Sequence, residues 1–145
     1  MRFFLLIFAF LSLSFPTIAV SEIIKDIEVE GNKRVSKASI KALGNISLDK
    51  DLNQKDLNSI LKKLYETNFF ENIELDIQNN ILIIKVAENP IIQSLEILGV
   101  KKKPMLKLLY ESLSLKEKSP YVEYLVREDE SLLNKLTKDF GFYFS

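Results

Sequence analysis

The sequence predicts an α+β fold, a two-layer sandwich in which two helices cover one face of a three-stranded sheet. Three observations lead to this prediction. Apolar and polar residues alternate along residues 72–86, with the period of two that is typical of a half-buried β-hairpin. Two segments with helical spacing of apolar residues precede this hairpin, and another alternating segment precedes both. The expected order of elements is therefore β-α-α-β-β.

The first strand is predicted over residues 23–30. Ile23, Ile27 and Val29 share one face of this strand with Lys25, and acidic residues occupy the other face. Gly31 ends the strand.

Both helices are predicted from the residues at their ends. Ser36 can cap the free amides of the first helix, and Val35 can pack on Ile40. Gly44 is a suitable C-terminal stop for this helix. Asn53 caps the second helix. The apolar stripe of the second helix consists of four residues at spacings typical of a helix face: Leu57, Ile60, Leu61 and Leu64.

The register of the hairpin follows from its turn. Asn79 and Asn80 predict a two-residue turn, because asparagine tolerates left-handed backbone angles. A longer turn would place Ile73 against Lys85, and a slip of one residue would turn the core face to water. The two-residue turn gives every inward residue an apolar partner and sets two charged residues opposite each other outside: Ile77 with Leu82, Leu75 with Ile84, Ile73 with Val86, and Glu74 with Lys85.

The composition limits the functions that the chain can perform. The 145 residues carry 20 Lys and Arg against 20 Asp and Glu, so no basic field favours nucleic acid. The sequence contains no Cys, which excludes disulfides and thiolate metal sites, and no His, which removes the commonest general base and metal ligand. We therefore expect neither an enzyme nor a bound metal or cofactor.

Residues 1–21 are predicted to be a secretory signal peptide. Arg2 gives a positive start, a run of apolar residues follows, and small residues surround a cleavage site after Ala19 or Ser21. The alternative is a membrane anchor, but the apolar run is short for a span of about 20 residues. The mature protein is therefore expected to be exported to the periplasm or the envelope of a bacterium.

A second copy of the pattern begins after the hairpin. Residues 94–99 align with residues 26–31, and Pro104 opens a helix. Ser119 and Pro120 are predicted to start the next helix. Three residues supply part of the buried side of that helix: Tyr121, Tyr124 and Leu125.

The second copy stops before its hairpin. Residues 142–145 should open its second strand, but no hairpin follows them. We therefore expect the chain to be a fragment or a truncated product. The expected division is the signal peptide at 1–21, a complete unit at 22–90 and a partial β-α-α unit at 91–145.

Three segments carry a family resemblance. Residues 27–35, 64–73 and 83–90 read IEVEGNKRV, LYETNFFENI and IIKVAENP. In this order, behind a signal peptide, they resemble the start of the BamA family of outer-membrane protein assembly factors, whose β-α-α-β-β periplasmic modules are POTRA domains. In the partial unit, residues 119–121 and 141–143 resemble the second POTRA domain. Asn68 stands where glycine is usual before the aromatic pair, and asparagine can adopt the same left-handed geometry.

The resemblance implies a mixed three-stranded sheet and a role in binding. Members of the family carry further POTRA repeats and a C-terminal transmembrane β-barrel, and no stretch after the signal peptide resembles barrel strands. The implied location is the periplasm, associated with the outer membrane in the full-length protein. The implied partners are unfolded outer-membrane β-barrel proteins and the lipoprotein subunits of the assembly machinery, with no nucleic acid and no cofactor. The alternatives are a module of a two-partner-secretion or translocation-assembly transporter, or a truncated fragment without function.

An edge strand is the candidate binding site. A small sheet with helices on one face leaves unpaired backbone groups at its edges, and an extended chain can add there by main-chain hydrogen bonds. The resemblance implies that the second strand is this edge. The corresponding residues are Glu71, Asn72, Ile73, Glu74, Leu75, Asp76, Ile77 and Gln78. The alternative is an edge that its own carboxylates protect from further strands.

Ile81 and Ile83 are predicted to lie on the outer face of the hairpin. They are candidates for a contact with a client or partner. The alternative is that they are ordinary exposed isoleucines or that they pack on the next repeat.

Overall fold

The structure, a computed structural model, describes residues 22–139. The predicted signal peptide at 1–21 and the strand expected at 142–145 lie outside these residues. The strands are β1 (Glu22–Ile24), β2 (Asp26–Glu30), β3 (Lys50–Leu52), β4 (Phe70–Gln78) and β5 (Ile81–Glu88). The helices are α1 (Lys37–Leu43), α2 (Gln54–Glu66), α3 (Lys103–Ser112) and α4 (Glu123–Asp139). None of these helices, within the part of the chain described, has the length and apolar character needed to cross a membrane.

β5 is the central strand of a three-stranded mixed sheet. It pairs in parallel with β2 and antiparallel with β4, so β2 and β4 are the two edges of the sheet that residues 22–139 form. β1 and β3 form a separate antiparallel pair. The predicted α+β fold with a mixed three-stranded sheet is confirmed.

The hairpin has the predicted register. The paired residues are Ile77 with Leu82, Leu75 with Ile84, Ile73 with Val86, and Glu74 with Lys85. Asn79 and Asn80 have φ angles of 52° and 66°, the left-handed conformation that a two-residue primed turn requires. The turn geometry and the alternation of side chains are therefore consistent with the same register between β4 and β5.

One hydrophobic core joins the sheet to the two helices of the first unit. Ile27 of β2 and Ile84 of β5 belong to the same buried cluster as Ile40 of α1 and Leu64 of α2. Full burial of an aliphatic side chain of this size contributes about 1.5–3 kcal/mol. α1 has only 7 residues, too few for an isolated helix to be stable, so burial against the sheet holds it in place.

Both predicted N-caps are present. Ser36 Oγ accepts a hydrogen bond from the amide of Ser39 at 3.1 Å. Asn53 Oδ1 accepts from the amides of Lys55 and Asp56 at 2.8 and 3.2 Å, and the Asp56 carboxylate accepts from the amide of Asn53 at 3.1 Å. This reciprocal pair is a capping box, and it fixes the start of α2.

The first predicted strand is interrupted at Lys25. The amide of Lys25 donates to the carbonyl oxygen of Asn80 at 2.8 Å, and the amide of Asp49 donates to the carbonyl oxygen of Ile24 at 2.7 Å. The interruption shifts the alternation by one residue, so that Ile24 is fully buried and Ile23 is 52% exposed. The prediction that Ile23 lies on the apolar face is therefore wrong. β3, which pairs with β1, was not predicted.

Asn80 connects the hairpin turn to this interruption. Its side-chain amide donates to the carbonyl oxygen of Ile23 at 2.8 Å, while its own carbonyl oxygen accepts from Lys25. The tip of the hairpin is thus bonded to both sides of the break between β1 and β2.

Residues 94–99 do not form the predicted strand. The hydroxyl of Tyr110 accepts from the amide of Ile97 at 3.0 Å and donates to the carbonyl oxygen of Leu95 at 3.2 Å. Within residues 22–139 no strand lies beside this segment, so a side chain satisfies its backbone instead. The helix expected after Pro104 is present as α3.

α4 begins at Glu123, later than predicted. Ser119 does not cap it, because the Ser119 hydroxyl accepts from the amide of Lys116 at 3.1 Å and donates to its carbonyl oxygen at 2.7 Å. Pro120 pairs with Ile91 in an isolated bridge. The Ser-Pro pair therefore belongs to a turn and not to a helix start.

Tyr121 and Tyr124 lie at the surface. They are 43% and 51% exposed, so the prediction that they face the core is wrong. Tyr121 precedes the helix because of its late start, and Tyr124 lies in the first turn, with its hydroxyl 3.5 Å from Asn68 Oδ1.

Candidate functional site

The open edge of β4 carries the candidate binding groups. The two-residue turn makes Gln78 and Ile81 a hydrogen-bonded pair, and such pairs then alternate along the hairpin. The amides and carbonyls of Ile73, Leu75 and Ile77 therefore point away from β5, toward the open side of the sheet. An added strand would pair with these groups.

Tyr65 of α2 occupies one of the outward amides. Its hydroxyl accepts a hydrogen bond from the amide of Ile73 at 3.0 Å and lies 3.5 Å from the carbonyl oxygen of the same residue. Asn72 Oδ1 is a further neighbour at 3.4 Å. A helix side chain thus closes the edge at Ile73. This role of Tyr65 was not predicted. Its one signal in the sequence is the position of Tyr65 next to Leu64, at the border of the apolar stripe of α2.

Asp76 occupies a second outward amide. Its carboxylate accepts from the amide of Ile77 at 2.9 Å and from the side-chain amide of Gln78 at 2.7 Å. Among residues 22–139, no side chain bonds the amide or carbonyl of Leu75. The open part of the edge is therefore centred on Leu75.

The start of β4 contains a bulge. Phe70 lies opposite Glu88 and Asn72 lies opposite Ala87, so Glu71 has no opposite residue in the ladder. Glu71 is exposed. The predicted edge of residues 71–78 thus consists of this bulged residue and a regular strand that begins at Asn72.

Ile81 and Ile83 lie on the outer face of the sheet, as predicted, and are half-buried. Polar and acidic residues of both edge strands flank them in the ladder: Asp26, Glu28, Asp76 and Gln78. Charged residues on an edge oppose the addition of a like-charged strand. Nowhere in residues 22–139 do three or more His, Cys, Asp or Glu side chains converge as a metal site would require.

Glu88 holds the loop that follows β2. Its carboxylate accepts from the amides of Lys33, Arg34 and Val35 at 2.7, 2.9 and 3.0 Å, and it lies 3.1 Å from Arg34 Nε. The Glu88 side chain is only 4% exposed. Burial raises the pKa of Glu88, but the three amide hydrogen bonds and Arg34 together outweigh it and hold the pKa below its ordinary value of 4.5. This carboxylate stabilises the fold at the end of the sheet where β5 leaves it.

The first unit matches a known family model. Residues 22–89 match the POTRA model, described as the surface antigen variable number repeat. The outer membrane protein assembly factor BamA of Neorickettsia risticii is 34% identical over 76 residues, which are 52% of this chain and 10% of the relative. BamA of Neisseria meningitidis is 32% identical over 78 residues, which are 54% of this chain and 10% of the relative. The chain spans about a tenth of the length of these relatives.

Two solved structures share the fold. POTRA domains 1 and 2 of the periplasmic domain of Omp85 from Anabaena superpose with a TM-score of 0.55 at 11% identity, over 86% of this chain and 83% of that one. The N-terminal domain of Omp85 from Thermosynechococcus elongatus gives a TM-score of 0.57 at 11% identity, over 83% of this chain and 52% of that one. At this level of identity the similarity concerns the fold alone.

Proposed function

We propose that this chain, whose residues 22–89 match the POTRA model, is a periplasmic binding module of an outer-membrane protein assembly factor. An extended segment of an unfolded outer-membrane protein, or of a partner lipoprotein, pairs with the edge of β4 and becomes a further strand of the sheet. Main-chain hydrogen bonds supply the affinity, so the module accepts many sequences.

The open main-chain groups of Leu75 carry this proposal. The neighbouring outward amides are occupied by Tyr65 and Asp76, so an added strand pairs first at Leu75. It extends in either direction only by displacing one of these two side chains. A short open edge gives weak and reversible pairing, and it also limits association between copies of the module.

The side chains along β4 supply selectivity. Asn72, Glu74 and Asp76 are exposed. They favour segments without acidic residues at the facing positions, because like charges on neighbouring strands repel each other.

The names of the relatives support the cellular role. Both curated relatives are named outer membrane protein assembly factors. Because this chain spans about a tenth of their length, its part in such an assembly factor belongs to the proposal.

A titration of the isotope-labelled chain with a short neutral peptide of alternating threonine and valine tests the proposal. We expect the largest amide shifts around Leu75, and slower hydrogen exchange of the Leu75 amide, because this amide gains a partner. The matched control is the same peptide with every backbone amide N-methylated, which has no backbone donors for the sheet edge and should not bind. Equal binding of the methylated peptide, or shifts confined to the helices, would contradict the proposal.

Variants at position 75 provide a second test. Leu75→Pro removes the outward amide without breaking a bond to β5, so the edge position is compatible with proline. Leu75→Val keeps the amide and the preference for a strand. We expect the proline variant to lose peptide binding and the valine variant to keep it. NMR spectra should show that the β4–β5 hairpin is intact in each variant.

A further inference from the structure

A cleft of about 900 Å³ opens at the bulged end of β4. Its walls are formed by the end of α2, the start of β4, the link that follows β5, and the residues that lead into α4. The link and the last segment are joined by a hydrogen bond of 2.7 Å from the amide of Tyr121 to the carbonyl oxygen of Pro90. Because Phe70 and Glu71 at the start of β4 line the cleft, a segment that pairs along β4 as far as Glu71 comes next to its lining.

Three tyrosines line the cleft. Tyr65, Tyr121 and Tyr124 are 41%, 43% and 51% exposed, so their rings are available to a ligand. The Tyr124 hydroxyl lies 3.5 Å from Asn68 Oδ1. The Tyr65 hydroxyl accepts from the amide of Ile73 at 3.0 Å, and a strand that pairs with Ile73 releases it. A tyrosine side chain has few rotatable bonds, so its ring loses little conformational entropy when a ligand packs against it.

Carboxylates outnumber cations in the same lining. Glu66, Glu71 and Glu123 stand against one lysine, Lys62, so three negative charges and one positive charge leave a formal charge of −2. Lys62 lies 3.8 Å from Glu66, and Glu123 lies 3.3 Å from Arg127. Glu71 has no ion-pair partner within residues 22–139. The carboxyl end of α2, with its partial negative charge, lies in the same wall.

Aromatic rings beside carboxylates attract ammonium and guanidinium groups. We propose that the cleft binds a lysine or arginine side chain of the extended segment that β4 adds, an inference that rests on the proposed function. The cation packs against the tyrosine rings and pairs with Glu71. An acidic side chain at the same position is repelled, and an apolar one gains only the contact with the rings.

Strand geometry fixes the position of the basic residue. Glu71 and Leu75 are four positions apart on β4, which corresponds to roughly 13 Å at about 3.3 Å per residue. The basic residue therefore stands about four positions along the added segment from the residue that pairs with Leu75. This spacing distinguishes the cleft from a general attraction between a basic peptide and an acidic surface.

The test uses the neutral threonine–valine peptide with one varied position. That position, about four residues from the centre, carries lysine, arginine, norleucine or glutamate in turn, and a second set places lysine at the centre. Binding to the chain is measured by fluorescence anisotropy at low and high salt. We expect the lysine and arginine peptides to bind roughly threefold to tenfold more tightly than the norleucine peptide. The glutamate peptide should bind most weakly, and central lysine should bring no gain.

Variants of the chain assign the gain to the cleft. Tyr124→Leu and Glu71→Gln should each reduce the difference between the lysine and norleucine peptides. Tyr124→Phe keeps the ring and should keep the difference. Glu28→Gln removes one carboxylate from the other edge strand, where Glu28 lies opposite Ile83, and should also keep the difference.

The outcomes separate this inference from the proposed function. If all four peptides bind equally well with shifts around Leu75, the edge binds strands and the cleft has no preference for a cation, which overturns the inference alone. If Glu28→Gln abolishes the gain as Glu71→Gln does, the attraction is diffuse and the inference also fails. If no peptide binds, both the proposed function and the inference fail.

Discussion

The hydroxyl oxygen of Tyr65 accepts a hydrogen bond from the backbone amide of Ile73 at 3.0 Å, so a helix side chain closes part of an otherwise open sheet edge. Tyr110 makes the same kind of contact with the amide of Ile97, also at 3.0 Å. In both places a tyrosine hydroxyl satisfies a backbone amide that no strand within the described part of the chain pairs with on that side. The two tyrosines form a matched pair for mutation.

Tyr65→Phe removes the hydroxyl and keeps the ring. We expect the free energy of unfolding to fall by about 0.5–1.5 kcal/mol, because a hydrogen bond is lost. The Ile73 amide should exchange faster, and the neutral peptide should bind more tightly because the open edge is longer. Urea unfolding, hydrogen exchange and anisotropy measure these changes. Tyr110→Phe is the control and should leave the Ile73 exchange rate unchanged, whereas weaker peptide binding by Tyr65→Phe would contradict the assigned role.

Ile73→Lys and Glu74→Lys test the two faces of β4. Ile73 is 5% exposed in the core, so a lysine there buries an unpaired charge and should cost about 3 kcal/mol or more. Glu74 is exposed on the outer face, and its replacement by lysine should leave the fold intact. Urea unfolding followed by circular dichroism compares the variants. Equal midpoints for the two variants would show that the faces are assigned wrongly.

Gly31→Ala and Gly99→Ala separate conformational strain from steric clash. Both glycines have left-handed φ angles, 82° for Gly31 and 84° for Gly99. A Cβ atom on Gly31 would lie 2.2 Å from the carbonyl oxygen of Val86, whereas one on Gly99 would meet nothing within 4 Å. We expect Gly99→Ala to cost about 1 kcal/mol of local stability and Gly31→Ala clearly more. Native-state hydrogen exchange of β5 and of α3 measures each site, and similar losses at both would refute the clash.

Glu88→Gln tests the loop after β2 and its dependence on pH. The pKa of Glu88 in the folded chain lies below its ordinary value of 4.5, so the ionised carboxylate stabilises the fold above about pH 4.5. This contribution is lost as the pH falls through the folded pKa. The unsubstituted chain should therefore lose more stability between about pH 6 and about pH 3 than Glu88→Gln does.

The pKa values of Asp26 and Asp56 are also lowered, by hydrogen bonds and nearby lysines. These two groups contribute equally to the pH dependence of the unsubstituted chain and of Glu88→Gln, so they do not affect the comparison. At neutral pH, Glu88→Gln should lower the free energy of unfolding by about 2 kcal/mol, because three backbone amides lose their charged acceptor. Parallel pH profiles for the two proteins would rule out the proposed role of Glu88.

The hairpin and the helix starts could be predicted because their determinants are local. Alternation along β4 and β5 assigns each side chain to a face, and Asn79 with Asn80 fixes the turn between them. Only one register then gives Ile73 and its neighbours apolar partners. Ser36 and Asn53 act on amides within three residues of themselves, so the sequence alone indicates both caps.

The remaining features depend on residues far apart in the sequence. Lys25 interrupts the first strand through a bond to Asn80, and no pattern around Lys25 indicates it. Glu88 binds amides 53 to 55 positions earlier in the chain. Tyr65 looks like an ordinary helix residue until the edge of β4 is placed beside it. Tyr121 and Tyr124 are exposed because the preceding turn delays α4.

The bond from Asn80 to the break between β1 and β2 fixes where the chain enters the sheet. It enters beside the start of β5 and leaves by the link after Glu88, at the other end of the same strand. β5 contains 8 residues, so entry and exit are separated by about 26 Å. We therefore expect modules joined through these two points to follow one another end to end, with each copy advancing the polypeptide by about the length of one sheet.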